Sequence, residues 1–97
     1  MTSKQRAYLK GLAMKLTPIL QIGKGGLTPE CTASVDEALE ARELIKINVL
    51  QNCLDAPGEL AETAAARTRS SVVQVIGRKI VLYRPKKDDK GKIKLPQ

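Results

Sequence analysis

The sequence predicts a single α/β domain in the order α-β-α-β-α-β-β, a mixed four-stranded sheet covered by helices. Three observations lead there. Apolar residues recur at helical intervals in some stretches and form short β-branched runs in others, and the two kinds alternate along the chain. The last two runs are split only by Gly77, Arg78 and Lys79, which reads as a hairpin. The 97 residues suffice for one modest core and not for two. Strands separated by helices imply right-handed parallel crossovers, and the hairpin adds an antiparallel pair.

In chain order, Thr2 and Gln5 have capping-box spacing, and Tyr8, Leu9, Leu12, Ala13 and Leu16 follow at helical intervals until Pro18 ends the helix. At about 100° per residue, Lys4 and Lys15 fall on one margin of the apolar stripe and Arg6 and Lys10 on the other. Taken alone, this is a solvated amphipathic helix whose cations snorkel around the core. Ile19 to Ile22 reads as a short strand. The second helix opens with Thr28 as N-cap and Pro29 as its first residue, and buries Cys31, Val35, Ala38 and Leu39. Its opposite face, with Asp36, Glu37 and Glu40, would repel a phosphate chain. Leu44 to Leu50 is a strand with Lys46 and Asn48 alternating to one face. Gln51 to Gly58 reads as a loop, and Glu59 to Thr68 as a helix with a thin stripe of Leu60, Ala61, Ala64 and Ala65. Val72 to Ile76 and Ile80 to Tyr83 complete the sheet. Past Pro85 the composition turns polar and lysine-rich, so residues 1–84 are expected to form the domain and 85–97 a basic arm with little fixed structure.

Seventeen basic against ten acidic side chains give a net charge of +7, which favours polyanionic partners. The charge is uneven: residues 1–27 hold five basic side chains and no acid, the middle of the chain is acidic, and residues 78–97 are again strongly basic. A fold that joined the two ends would form one basic face. Two cysteines, Cys31 and Cys53, lack zinc spacing, and the absence of His argues against a protein metal site; no cofactor is expected. With no apolar run of membrane-spanning length and no hydrophobic leader, a cytoplasmic protein is expected.

The most informative stretch is Ile19 to Glu30, in which a strand gives way to Gly23, Lys24, Gly25 and Gly26 and then to a helix start. Glycines allow another backbone to approach closely, and N–H groups near a helix N-terminus attract anions, here beside the charge of Lys24. The spacing matches neither the P-loop nor the dinucleotide fingerprint, and the following strand carries no acid for a ribose. What remains is the short G-x-x-G form, which KH domains use to clamp a nucleic-acid backbone. A plain strand-to-helix turn with one exposed lysine is the competing reading.

Four segments, SKQRAYLKGLA (Ser3 to Ala13), QIGKGGLT (Gln21 to Thr28), LIKINVL (Leu44 to Leu50) and VQVIGRKIVLYR (Val73 to Arg84), occur in the order found in YhbY-like proteins, and the chain resembles that family, whose module is the CRM domain. The resemblance implies a fold similar to the C-terminal domain of bacterial translation initiation factor three. It also implies RNA binding through Gly23, Lys24, Gly25 and Gly26 and, for single-domain bacterial members, association with precursors of the large ribosomal subunit. Many members carry Asn or another residue where Gly25 stands here, which implies a more mobile loop in this chain.

The expected function is therefore binding of ribosomal RNA in large-subunit precursors by a monomer, without a small-molecule substrate or a membrane. One or two phosphates would sit on the Gly23 to Gly26 backbone, with Lys4, Arg6, Lys10, Arg78, Lys79, Arg84 and the tail lysines extending the track. With only Tyr8 and Tyr83 as aromatics, base stacking has little to work with, and shape and backbone should dominate. The alternatives are a ribosome-associated protein-interaction module whose charge only steers docking, a DNA-binding protein, and an enzyme. The last lacks a nucleophile with a neighbouring base and paired carboxylates at the loop.

Overall fold

In the computed structural model, which describes residues 2–85, the expected element order is present: α1 Ser3–Ala13, β1 Leu20–Ile22, α2 Pro29–Arg42, β2 Leu44–Val49, α3 Pro57–Thr68, β3 Ser71–Ile76 and β4 Lys79–Tyr83. The lysine-rich segment 86–97 lies outside the described residues. The mixed four-stranded sheet runs in the order β1-β2-β4-β3. β1 is parallel to β2, and β4 is antiparallel to both β2 and β3. β1, β2 and β3 thus share one direction, as the crossovers predict, but β4 is inserted between β2 and β3. The two-residue turn Gly77–Arg78, with Gly77 at φ +56, folds β4 back beside β3, and β4 then pairs with β2 on its other edge.

Strand alternation divides the apolar residues between two layers. On one face Ile22, Ile45, Ile47, Val49, Ile80 and Leu82 meet Val35 and Leu39 of α2 and Leu60, Ala61, Ala64 and Ala65 of α3. The alanines let α3 lie close to the sheet, and Cys53 is buried in the same layer. On the other face Leu44, Val81, Tyr83 and Val73 pack against Leu9 and Ala13 of α1. Val73 reaches this face through a register shift between Val72 and Gln74, where β3 carries one residue more than β4.

Two local expectations are corrected. α1 carries the capping box of Thr2 and Gln5 but stops at Ala13, with Met14 as C-cap; tight turns from Lys15 to Leu12 and Leu16 to Ala13 follow, well before Pro18. Lys15 therefore leaves the helix margin assigned to it, although Leu16 still reaches the second core layer. α3 begins two residues earlier than expected, because Pro57 sits in its first turn, where its missing N–H is no loss. Between α2 and β2 there is no loop: Glu43 alone turns the chain, at φ +67 and almost fully buried.

Candidate nucleic-acid interface

The parallel register of β1 with β2 brings three connections to one end of the sheet: the glycine loop after β1, the 50–56 segment after β2 and the β3–β4 turn. The Leu50 N–H donates to the Ile22 carbonyl at 2.8 Å, tying the second to the first. Arg78 ties the third to the second, its Nε and Nη2 donating to the carbonyls of Val49 and Leu50 at 3.0 and 2.6 Å. Arg67 of α3 donates to the Leu27 carbonyl at 3.2 Å and anchors the far side of the loop.

Within the loop, the Gly26 N–H donates to the Gly23 carbonyl at 2.9 Å, so Lys24 and Gly25 are the two central residues of a turn. Both are exposed, and their N–H groups bond to no described residue. Gly26 has φ +68 and is buried; a Cβ there would meet Asp55 Oδ2 at 2.9 Å. Gly25 lacks a positive φ, and a Cβ would meet Thr28 Cγ2 at an ordinary 3.5 Å. Gly26 is thus demanded by the backbone, whereas position 25 accepts a side chain.

The two sides of the loop differ in charge. Toward α3, Gly25 and Leu27 share a cleft with Asp55, Glu59 and Arg67. Toward the α1 face of the sheet, Gln21, Asn48 and Lys79 are consecutive cross-strand neighbours from β1 to β2 to β4, with no carboxylate among them. An anion reaching the Lys24 and Gly25 amides meets less repulsion from this second side.

Of the sequence-predicted site residues, Gly23, Lys24, Gly25, Gly26, Arg78 and Lys79 come together at this end. Lys24 and Lys79 are exposed and form no ion pair with a described residue. Arg78 spends two donors on carbonyls, which carry no formal charge, so its positive charge persists beside the loop. Lys4, Arg6 and Lys10 are exposed on α1, which packs on the face bearing the Gln21–Asn48–Lys79 row. Arg84 is separated from the group. It lies beyond the opposite end of β4, where it pairs with Asp36 at 2.6 Å and Glu40 at 3.1 Å and donates to the carbonyls of Thr68 and Asp36. The tail lysines lie outside the described residues.

The sequence reading missed Gln21, and left Lys46 and Asn48 on a strand face without a role; strand alternation was the available signal. It also missed two exposed aliphatic side chains at the same end, Leu54 at 93% and Ile76 at 60% exposure. Neither cysteine resembles an activated thiol: burial pushes the Cys31 thiol up, and Cys53 belongs to the core.

The chain matches the CRS1 / YhbY (CRM) domain over residues 1–84. It is 48% identical over 96 residues to the "Probable RNA-binding protein YqeI" of Bacillus subtilis, covering 99% of each chain. An "RNA-binding protein" of Haemophilus influenzae is 36% identical over 97 residues, covering 100% of this chain and 96% of the other. The solution structure of the hypothetical protein SAV1595 from Staphylococcus aureus superposes with a TM-score of 0.83 at 52% identity, covering 99% of both chains. On the match across residues 1–84 and the similarity of whole chains, this protein belongs to the CRS1/YhbY (CRM) domain family.

Proposed function

We propose that this protein binds RNA through the Lys24–Gly25 turn, with phosphate oxygens accepting from the N–H groups of these two residues and the charges of Lys24, Arg78 and Lys79 around them. The observation that carries the reading is that pair of exposed residues whose N–H groups have no partner among the described residues, on a turn fixed from both sides by hydrogen bonds. The names of the relatives support RNA as the polymer. In the cell, the ligand we propose is ribosomal RNA of large-subunit precursors, bound by a cytoplasmic monomer that assists assembly; the resemblance to stand-alone bacterial members supports this. No residue is assigned a chemical step.

The test is the double variant Lys24→Asp, Gly25→Asp. Position 25 tolerates a side chain, so the circular dichroism spectrum should be unchanged while RNA affinity falls at least about tenfold, the effect of removing roughly 1.4 kcal/mol of binding free energy. Retained affinity would remove the loop from the interface. If about five phosphates are neutralised, log affinity should fall with log salt at a slope of roughly −3.5 to −4.5.

The exposure of Leu54 and Ile76 beside the loop favours one second reading, docking on a ribosomal protein with charge only steering approach. Nuclease treatment of cell extracts separates the two. A protein held by RNA leaves the ribosomal fraction as the RNA is cut, and one held by protein stays.

A further inference from the structure

At the other end of β1, on the α1 face, a small cavity of about 160 Å³ receives three cations from three elements: Lys15 from the turn after α1, Arg42 from the last turn of α2 and Lys46 from β2. Among the described residues no carboxylate lines it. None of the three forms an ion pair or a side-chain hydrogen bond with a described residue, although Lys46 is half-buried. The neighbouring acid, Glu43, is buried near Tyr83 and is not part of the lining. Three like charges around one concavity repel one another in the free protein, and an anion placed among them removes that repulsion. Thr17 adds a hydroxyl, and Leu16 and Ile19 form an apolar wall.

The placement relative to the glycine loop selects the anion. Ile19 donates its N–H to the Lys46 carbonyl at 3.0 Å, and Gln21 pairs with Asn48 one step further along. Ile19 and Gln21 alternate to the same face, so the cavity, the Gln21–Asn48 row and the loop succeed one another along the β1–β2 pair. From Ile19 to Gly23 is about 13 Å of extended chain at roughly 3.3 Å per residue. A charged polymer lying along this edge would place one phosphate at the loop and a later one in the cavity.

We propose that Lys15, Arg42 and Lys46 form a second phosphate site for the same RNA strand that the glycine loop holds, a few nucleotides away. This rests on the RNA-binding reading above and sets the direction of the strand's path, down β1 toward the exit of α1. The competing role for these side chains is structural: Arg42 stabilising α2 through the dipole at the helix C-terminus, and Lys46 covering apolar surface with its stem. A purely structural role would therefore make neutralisation cost stability, whereas a repulsive anion site makes it neutral or stabilising.

The experiment measures oligouridylates of increasing length against the full-length wild-type chain, the triple variant Lys15→Gln, Arg42→Gln, Lys46→Gln, and the loop variant. Wild-type affinity should rise in two stages, the second when the oligomer spans both ends of β1. In the triple variant the second stage should vanish, affinity for long oligomers should fall about tenfold, the salt slope should flatten by roughly 0.7 for the lost phosphate, and the melting temperature should hold or rise. As a charge-matched pair, Lys46→Gln should cost several-fold and Arg69→Gln less than twofold. An unchanged length profile in the triple variant, or equal losses from Lys46→Gln and Arg69→Gln, overturns the second site while leaving the loop reading intact. A lowered melting temperature with unchanged affinity also overturns it and assigns the three side chains to structure. Absence of wild-type binding removes the underlying reading and this one with it, and a loop variant that still binds while the triple variant does not would overturn the loop alone.

Discussion

Arg78 and Arg84 stand at opposite ends of one short strand, and their surroundings give the same side chain opposite electrostatic roles. Arg78 donates to two backbone carbonyls and holds the hairpin against the segment after β2, leaving its charge uncancelled at the glycine-loop end. Arg84 meets two carboxylates and two carbonyls on α2 and α3, so its charge is cancelled by Asp36 and Glu40. A guanidinium bound to carbonyls still attracts a phosphate chain, whereas one bound to carboxylates no longer does. The net charge of +7 therefore overstates what one face can offer, and the acidic middle of the chain is where part of it is absorbed.

Paired substitutions would break this comparison most directly. Arg78→Ala should lower RNA affinity at least about fivefold, since it removes a charge at the loop, loosens the hairpin and takes a donor from the Val49 and Leu50 carbonyls, the second of which keeps the Cys53 N–H, for a stability cost of about 1–2 kcal/mol. Arg84→Ala should cost about as much stability through its hydrogen bonds to the Thr68 and Asp36 carbonyls. Its ion pairs add little because the partner carboxylates are exposed. RNA affinity should stay within about twofold of wild type in Arg84→Ala. Urea denaturation with RNA titration on both variants gives the two axes. Equal affinity losses would show that charge acts through its total and not its placement.

The adjacent glycines sharpen the same contrast between a residue needed by the fold and one available to a ligand. Gly26→Ala should destabilise by about 1–2 kcal/mol, because a left-handed φ and a Cβ beside Asp55 Oδ2 both oppose it. Gly25→Ala should be neutral or stabilising by up to about 1 kcal/mol, since its backbone already suits an L-residue. Thermal unfolding of the two single variants measures the difference, and reversed signs would contradict the turn geometry.

Local signals were legible in the sequence and long-range ones were not. The Thr2–Gln5 box, the Thr28–Pro29 start and the alternation of Lys46 and Asn48 to one face of β2 each depend on neighbours a few residues away, and each stands as read. The sequence extends α1 too far because Leu16 continues the period of Leu9, Leu12 and Ala13, which the chain itself abandons in tight turns. The position of β4 between β2 and β3 rests on pairings more than thirty residues apart, such as Ile45 with Leu82, for which strand composition holds no cue. The same holds for the site. Gly23 to Gly26 announce themselves, but that Arg84 is taken by Asp36 and Glu40, more than forty residues away, is a property of the folded arrangement alone. The Lys15, Arg42 and Lys46 cavity, assembled from three elements, is legible only in the same way.

The smallest expected effect lies beneath the Arg84 end, where Tyr83 is buried close to Glu43. Desolvation first, and then the Glu43 charge, push the Tyr83 phenol above its ordinary range. A group whose pKa is raised on folding contributes stability that is fully present below its unfolded pKa and is lost as pH rises through the folded value. Alkaline titration of stability should therefore show a decline that begins near the ordinary tyrosine range. Tyr83→Phe should flatten that decline while leaving RNA affinity at neutral pH unchanged, because the ring packs against α1 and its hydroxyl is remote from the loop. At the glycine-loop end Lys24 is exposed, so the equivalent test there, Lys24→Gln, should alter RNA affinity and leave the melting temperature at neutral pH as it is. An alkaline decline that persisted in Tyr83→Phe would remove Tyr83 as its source, and the two ends of the sheet would then not divide stability from binding as the arginines indicate.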